Sequence, residues 1–290
     1  MLIKILKWLG LIAGGLTLLI LVFYVCAYLN VESRANKVYE VQIQKLTIPT
    51  DSISLAAGEH IATNRGCKGC HLSDLSGGFA FADDKSPIGI LYSANITSGT
   101  GGIQYSDDDW IRALRHGLDK NNKSLWFMPS HDLYQLTNED MSNLIAYVKT
   151  RPAVDKKTPT KSLKPLGRII TFLGKFPLFP AEKIDHNATY IDKLTPSVSP
   201  AYGKYLATTC SACHGKDMKG GEAHGPGQPP IPDITSTGNP GKWNNEGFAK
   251  IFKTGITPDG KKLDATMPWK DFTYTRDELQ AIYNYLHGLP

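Results

Sequence analysis

Cys67-Lys68-Gly69-Cys70-His71 and Cys210-Ser211-Ala212-Cys213-His214 are the stretches that decide how this 290-residue sequence reads. Two thiols about one helical turn apart can form thioethers with the two vinyl groups of one haem. The histidine that follows then faces the iron, which is the pattern of covalent c-type attachment. Two motifs therefore predict two covalently bound haem c groups and a chain that moves electrons. One structural zinc site built from both cysteine pairs is a competing use, but such sites join their halves over a short connection. Here about 140 residues separate the pairs, and zinc leaves the two histidines unexplained. A redox dithiol needs a βαβ pattern beside it, and neither motif has one.

Length allows two modest domains plus connectors, and the composition is that of a globular protein. A formal charge of +5, with no basic run interleaved with aromatics, excludes a nucleic-acid partner. The fifth cysteine, Cys26, lies in an apolar stretch, so no disulfide framework is left over. Residues 8–29 carry no charge; at about 1.5 Å per residue they reach roughly 33 Å, enough for a hydrocarbon core of about 30 Å. A cleaved signal peptide has a shorter apolar region and a small-x-small end. Tyr24-Val25-Cys26-Ala27-Tyr28 offers no such end, and the bulky residues before Cys26 argue against lipoprotein processing. The expectation is an uncleaved single-pass anchor in the cytoplasmic (inner) membrane, residues 1–29. Lys4 and Lys7 keep the short N-terminus inside, so everything after residue 30 is periplasmic. Trp8 and Tyr28 fall where an aromatic belt would.

The chain repeats itself. Gly58-Glu59-His60-Ile61-Ala62 precedes Cys67 as Gly203-Lys204-Tyr205-Leu206-Ala207 precedes Cys210. Each pair predicts a short helix with the haem motif at its end. Asp74-Leu75-Ser76-Gly77-Gly78 matches Asp217-Met218-Lys219-Gly220-Gly221, and Asn95-Ile96-Thr97 matches Asp233-Ile234-Thr235. A helix with Trp110, Ile111 and Leu114 on one face matches one with Phe248, Ile251 and Phe252. Both copies close with an amphipathic helix, N-capped by Thr137 or Thr275, with Glu278 completing a capping box. Met141, Leu144, Ile145 and Val148 form one core stripe, and Leu279, Ile282, Tyr283 and Leu286 the other. Pro152 and Pro290 end the two copies. The repeat predicts two small, mainly α domains, residues 30–152 and 198–290.

The sixth iron ligand separates carrier from enzyme. Apart from Met1 there are four methionines. Met141 aligns with Leu279 as packing, and Met218 is too close to His214 to reach the far side of a ring. Met128 follows His71 by 57 residues and Met267 follows His214 by 53, each with a proline next, which stiffens the loop. The predicted iron ligands are His71 with Met128 and His214 with Met267, and no catalytic residue is expected. His/Met ligation raises a reduction potential. His131 and His224 have no counterpart in the other copy, and His60, His116 and His287 fall in helices as surface or neighbouring groups. Tyr105, Trp126, Trp243 and Trp269 are candidates for shielding ring edges or for plain packing.

These elements resemble a class I c-type cytochrome in tandem, and in particular the cytochrome subunits of membrane-bound bacterial alcohol and gluconate dehydrogenases. The resemblance covers nearly all residues after about 50 and rests on the paired Cys-x-x-Cys-His and Met-Pro elements. Those subunits commonly carry three haems, whereas this chain has two attachment motifs and an N-terminal anchor. The resemblance implies two class I cytochrome c domains behind one transmembrane helix. It also implies redox-protein partners, a membrane-bound dehydrogenase or terminal oxidase among them. Residues 153–197 interrupt the repeat as a basic, proline-rich connector: from Arg151 to Lys193, nine Lys/Arg face four acids. Its apolar run Ile169, Ile170, Phe172, Leu173, Phe176, Leu178 and Phe179 reads as a strap across both domains, or as a surface touching anionic lipid or an acidic partner. The function expected is electron transfer without bond chemistry. A dihaem peroxidase-like enzyme with one displaceable ligand is the alternative, and a haem sensor is disfavoured because no signalling domain accompanies the anchor.

Overall fold

A computed structural model describes residues 1–223 and 227–290 and is mostly helical. It opens with α1 (Leu2–Asn36), long and apolar enough to cross a membrane. Its side chains are exposed as far as Phe23, while Ala27 and Val31 are buried. The helix therefore outruns the uncharged segment because its last turns pack on protein rather than ending at Leu29.

The first helical unit follows. α2 (Ser52–Asn64) is capped by Asp51, whose carboxylate accepts from the Ser54 N–H at 3.0 Å. Gly66, left-handed at φ 74°, breaks the chain before α3 (Cys67–His71). The motif thus sits on its own short helix rather than on the end of the preceding one. Next come β1 (Ala80–Ala82), β2 (Gly89–Tyr92), α4 (Asp107–His116), α5 (Ser130–Leu133) and α6 (Asn138–Lys149). β3 (Ser162–Leu163) completes a small antiparallel sheet of order β1-β2-β3, with Gly89 opposite Leu163. Sequence periodicity gave no sign of it, because strands this short carry too few residues to alternate.

After α7 (Pro165–Phe172), the second unit consists of α8 (Pro200–Leu206), α9 (Thr208–His214), α10 (Asn245–Thr254) and α11 (Arg276–His287). It repeats the first unit's principal helix crossing and turns. α2 crosses α6 at Gly58, where a Cβ would lie 2.0 Å from the Asn143 carbonyl oxygen. α8 crosses α11 at Gly203, where a Cβ would lie 1.9 Å from that of Ala281. Leu75 and Met218 occupy the same left-handed turn, both at φ 61°, and both are buried. Thr137 and Thr275 cap their helices, the latter in a capping box with Glu278. Met141, Leu144, Ile145 and Val148 belong to the first core, and Leu279, Ile282 and Leu286 to the second.

Residues 153–197 wrap the first unit. Asn95 Nδ2 donates to the Val154 carbonyl at 2.7 Å, Lys156 Nζ to that of Gly77 at 2.6 Å, and Leu178 and Phe179 are buried with Val31 of α1. The strap expected across both domains therefore packs on the first unit and the end of α1.

Candidate functional site

The two Cys-x-x-Cys-His helices present their histidines in the same way. His71 Nδ1 donates to the Ala94 carbonyl at 2.8 Å, and His214 Nδ1 to that of Pro232 at 2.8 Å. Both carbonyls immediately precede the matched Asn95-Ile96-Thr97 and Asp233-Ile234-Thr235 segments. With Nδ1 committed as donor, Nε2 carries the lone pair and the ring cannot rotate, which is how a metal-binding imidazole is aimed. Both rings are buried. Burial lowers the pKa of His71, keeping it in the neutral, ligating form. The loops behind them match as well. Gly77 N–H donates to the His71 carbonyl at 2.9 Å and Gly220 N–H to that of His214 at 2.8 Å.

All four motif cysteines are unpaired. Burial pushes the Cys67 thiol up to about 12 and the Cys210 thiol to about 11. Exchange-active dithiols need the opposite shift. Among the described residues, no group of three or more His, Cys, Asp or Glu is placed to hold a metal ion, so the cysteine pairs do not assemble the zinc site considered above. The donor set fits haem in both units: thiols that a vinyl group could alkylate, and a buried, aimed, neutral imidazole.

The Met-Pro loops share one backbone conformation. Pro129 has φ −79° and ψ 51°; Pro268 has φ −82° and ψ 47°. Ser130 N–H donates to the Met128 carbonyl at 2.8 Å, as Trp269 N–H does to that of Met267. Met128 packs, with Cys67, against the first core. Met267 instead lines an open cleft of about 540 Å³ with Gly255, Leu263 and Trp269. Trp269 covers Gly255, Tyr105 meets Trp110 edge-on, Trp126 joins the connector's aromatic cluster, and Trp243 Nε1 donates to Asp259 at 3.4 Å.

Among the other histidines, His116 is buried against His186 and pushed down to about 4, chiefly by burial, so it is not a surface group. His131 lies half-buried on α5 beside Asp132, and His287 is exposed. His224 lies outside the described residues. His60 reaches the second unit, where Nε2 is 2.9 Å from a Glu278 carboxylate oxygen.

That contact belongs to an interface unseen in the sequence. Arg65, two residues before Cys67, donates to the Tyr205 carbonyl at 2.9 Å and to Thr209 Oγ1 at 3.4 Å, just before Cys210. Tyr205 in turn packs against the first core and donates to Asp140, while the Thr137 N–H donates back to its hydroxyl at 3.2 Å. α5, directly after Met128-Pro129, touches α9. The two attachment segments are thus side by side, with Arg65 between them. Arg115 was missed too. Buried on α4, it donates to the carbonyls of Tyr134, Leu136 and Thr137 and so pins the loop after Met128. A signal existed: four residues after Ile111, an arginine sits on the helix's apolar face.

Comparison with known proteins gives a family match for the second unit. Residues 200–290 match the model of the cytochrome c family. The chain is 28% identical over 269 residues to the fructose dehydrogenase cytochrome subunit of Gluconobacter japonicus, covering 82% of this chain and 53% of that protein. It is 29% identical over 282 residues to the cytochrome c subunit of the quinone alcohol dehydrogenase of Komagataeibacter europaeus, covering 84% and 58%. Over 96 residues it is 41% identical to the gluconate 2-dehydrogenase cytochrome c subunit of Pantoea cypripedii, covering 31% and 21%. The chain thus spans little more than half the length of the first two relatives.

Proposed function

We propose that this chain, which carries a cytochrome c domain over residues 200–290, is a membrane-anchored dihaem c-type cytochrome. It passes electrons between redox partners outside the cytoplasmic membrane as the electron-transfer subunit of a dehydrogenase. The observation that carries this reading is the identical placing of His71 on Ala94 and His214 on Pro232 in two units of one backbone plan. When bound, haem c supplies reversible one-electron oxidation and reduction. The rest is the work of the chain. Cys67, Cys70, Cys210 and Cys213 would provide the attachment thiols, and His71, His214, Met128 and Met267 would hold the iron.

Relatives that are cytochrome subunits of fructose, alcohol and gluconate dehydrogenases support a dehydrogenase as donor. α1 supports a single-pass anchor with both units on the periplasmic side. Mass spectrometry of the membrane-extracted chain is expected to find two covalent haems. Met128→Ala and Met267→Ala are each expected to remove half of the ferric methionine-to-iron charge-transfer band. A single haem, or a band untouched by both substitutions, rejects the proposal. Rapid peroxide turnover with loss of a methionine signature would favour the peroxidase-like alternative.

A further inference from the structure

α7 packs along the outward end of α1, and its contacts fix the depth at which it sits. Phe172 meets Phe23 edge-on with ring centroids 5.7 Å apart. Arg168 lies 4.2 Å from the Tyr28 ring centroid and donates to Glu32 at 2.7 Å, and Arg34 donates to the Thr171 carbonyl at 3.3 Å. Phe23 precedes Leu29, the last residue of the uncharged run, by six positions. At about 1.5 Å per residue this is about 9 Å inside the end of that run. α7 therefore straddles the end of the apolar segment, with Phe172 at the level of Phe23 inside it and Arg168 and Thr171 meeting Glu32 and Arg34 just beyond it.

The helix buries Gly167, pressed on the Ile88 carbonyl, and Thr171. Leu166, in the first turn, and Leu173, the C-terminal cap seven residues on, stay 44% and 54% exposed. Two of the neighbouring cations are already engaged, while Lys175, two residues after Leu173, is exposed. Arg168 is paired with Glu32, and Lys164 Nζ donates to the Asp84 and Ser86 carbonyls at 2.5 and 2.9 Å. What this surface offers is apolar area at the level where a spanning α1 meets the headgroups. It continues through Phe176, which stacks on Phe127 at 5.2 Å, to Phe81 and Phe79, themselves partly exposed.

We propose that α7 is an interfacial helix lying at the headgroup–acyl boundary of the outer leaflet beside α1. Leu166 and Leu173 are inserted, so the first unit rests on the bilayer by the side that carries its Phe127-Met128 loop. The proposal rests on the reading of α1 as a span, and it makes the first site the membrane-proximal one.

The test uses the full haem-loaded chain in phosphatidylcholine vesicles, reduced and in a Cys26→Ala background. Single nitroxide labels are placed through Leu18→Cys, Leu166→Cys, Leu173→Cys and Ile256→Cys. Labels at 18, 166 and 173 are expected to collide with oxygen in preference to an aqueous nickel chelate, several-fold more than the label at 256, which lies on the second unit. If 18 reports lipid while 166 and 173 match 256, the α7 proposal falls and the span stands. If 18 reports water, both fall. Because the insertion is apolar, adding anionic lipid is expected to leave the ratios unchanged; lipid contact that appears only with anionic lipid overturns the proposal.

Discussion

The two helical units share a backbone plan and differ in what braces the methionine loop. In the first, Phe127 stacks on Phe176, its N–H donates to the Leu178 carbonyl at 2.8 Å, and Gly117 lies against Pro180, Ala181 and Ile184. Buried Arg115 holds the following loop by its carbonyls. In the second, the equivalent Gly255 lies against the ring of Trp269, an exposed Lys253 stands in the place of Arg115, and Met267 borders the cleft. A 45-residue insertion thus gives the first unit what the second draws from its own tryptophan. If both Met-Pro loops hold ligands, they do so with different bracing, and the structure around a ligand tunes a metal as much as the ligand does.

The sharpest test of the shared plan is the helix crossing. Gly58→Ala and Gly203→Ala each drive a Cβ into a backbone carbonyl at 2.0 and 1.9 Å. Both are expected to cost about 3 kcal/mol, read as thermal unfolding of the affected unit. If one is tolerated, the two crossings are not equivalent.

The difference in bracing is tested by ligand exchange. Added imidazole is expected to displace Met267 at about tenfold lower concentration than Met128, the factor that about 1.4 kcal/mol of extra bracing supplies. Phe176→Ala is expected to narrow that gap by weakening Met128 alone. Equal displacement in the parent protein would remove the distinction drawn between the units.

Arg65 decides whether the units act as one body. Arg65→Ala removes the bonds to Tyr205 and Thr209 and is expected to cost about 1.5 kcal/mol. It should also slow electron exchange between the two centres, followed by pulsed one-electron reduction. An unchanged exchange rate would show that the adjacency of the motifs does not depend on this side chain.

Much of this architecture was legible because it is written locally. The Cys-x-x-Cys-His helices, the Thr137 and Thr275 caps, and the packing role of Met141 all follow from spacing or periodicity within one copy. Aligning the copies located the Met-Pro loops. Arg65, Arg115, the small sheet and the side on which the connector packs were not legible, since each depends on which distant segment the chain meets. Tyr205 reads as an ordinary aromatic of α8, yet it packs against the cores of both units. A helix period says which face is buried and is silent about the partner.

The smallest expected effect concerns the bridge between His60 and Glu278. Its hydrogen bond to Glu278 raises the His60 pKa above the usual 6.5, despite partial burial. Burial raises the Glu278 carboxyl, but the His60 bond and the Thr275 N–H outweigh it and bring it below the usual 4.5. The histidine's share of stability is therefore complete below about pH 6.5 and lost as pH rises through its folded value. The carboxylate's share is complete above about pH 4.5 and lost as pH falls through its own. Between those limits, His60→Ala is expected to cost about 1 kcal/mol, leaving the Thr275–Glu278 capping box in place. The difference between parent and variant in thermal unfolding should shrink toward alkaline pH. If it stays flat from acid to alkaline, the bridge carries no charge-dependent energy. The units would then be held together by pH-independent contacts such as those of Tyr205, Arg65 and the Thr273 N–H on Asn64, and their coupling would not vary with pH.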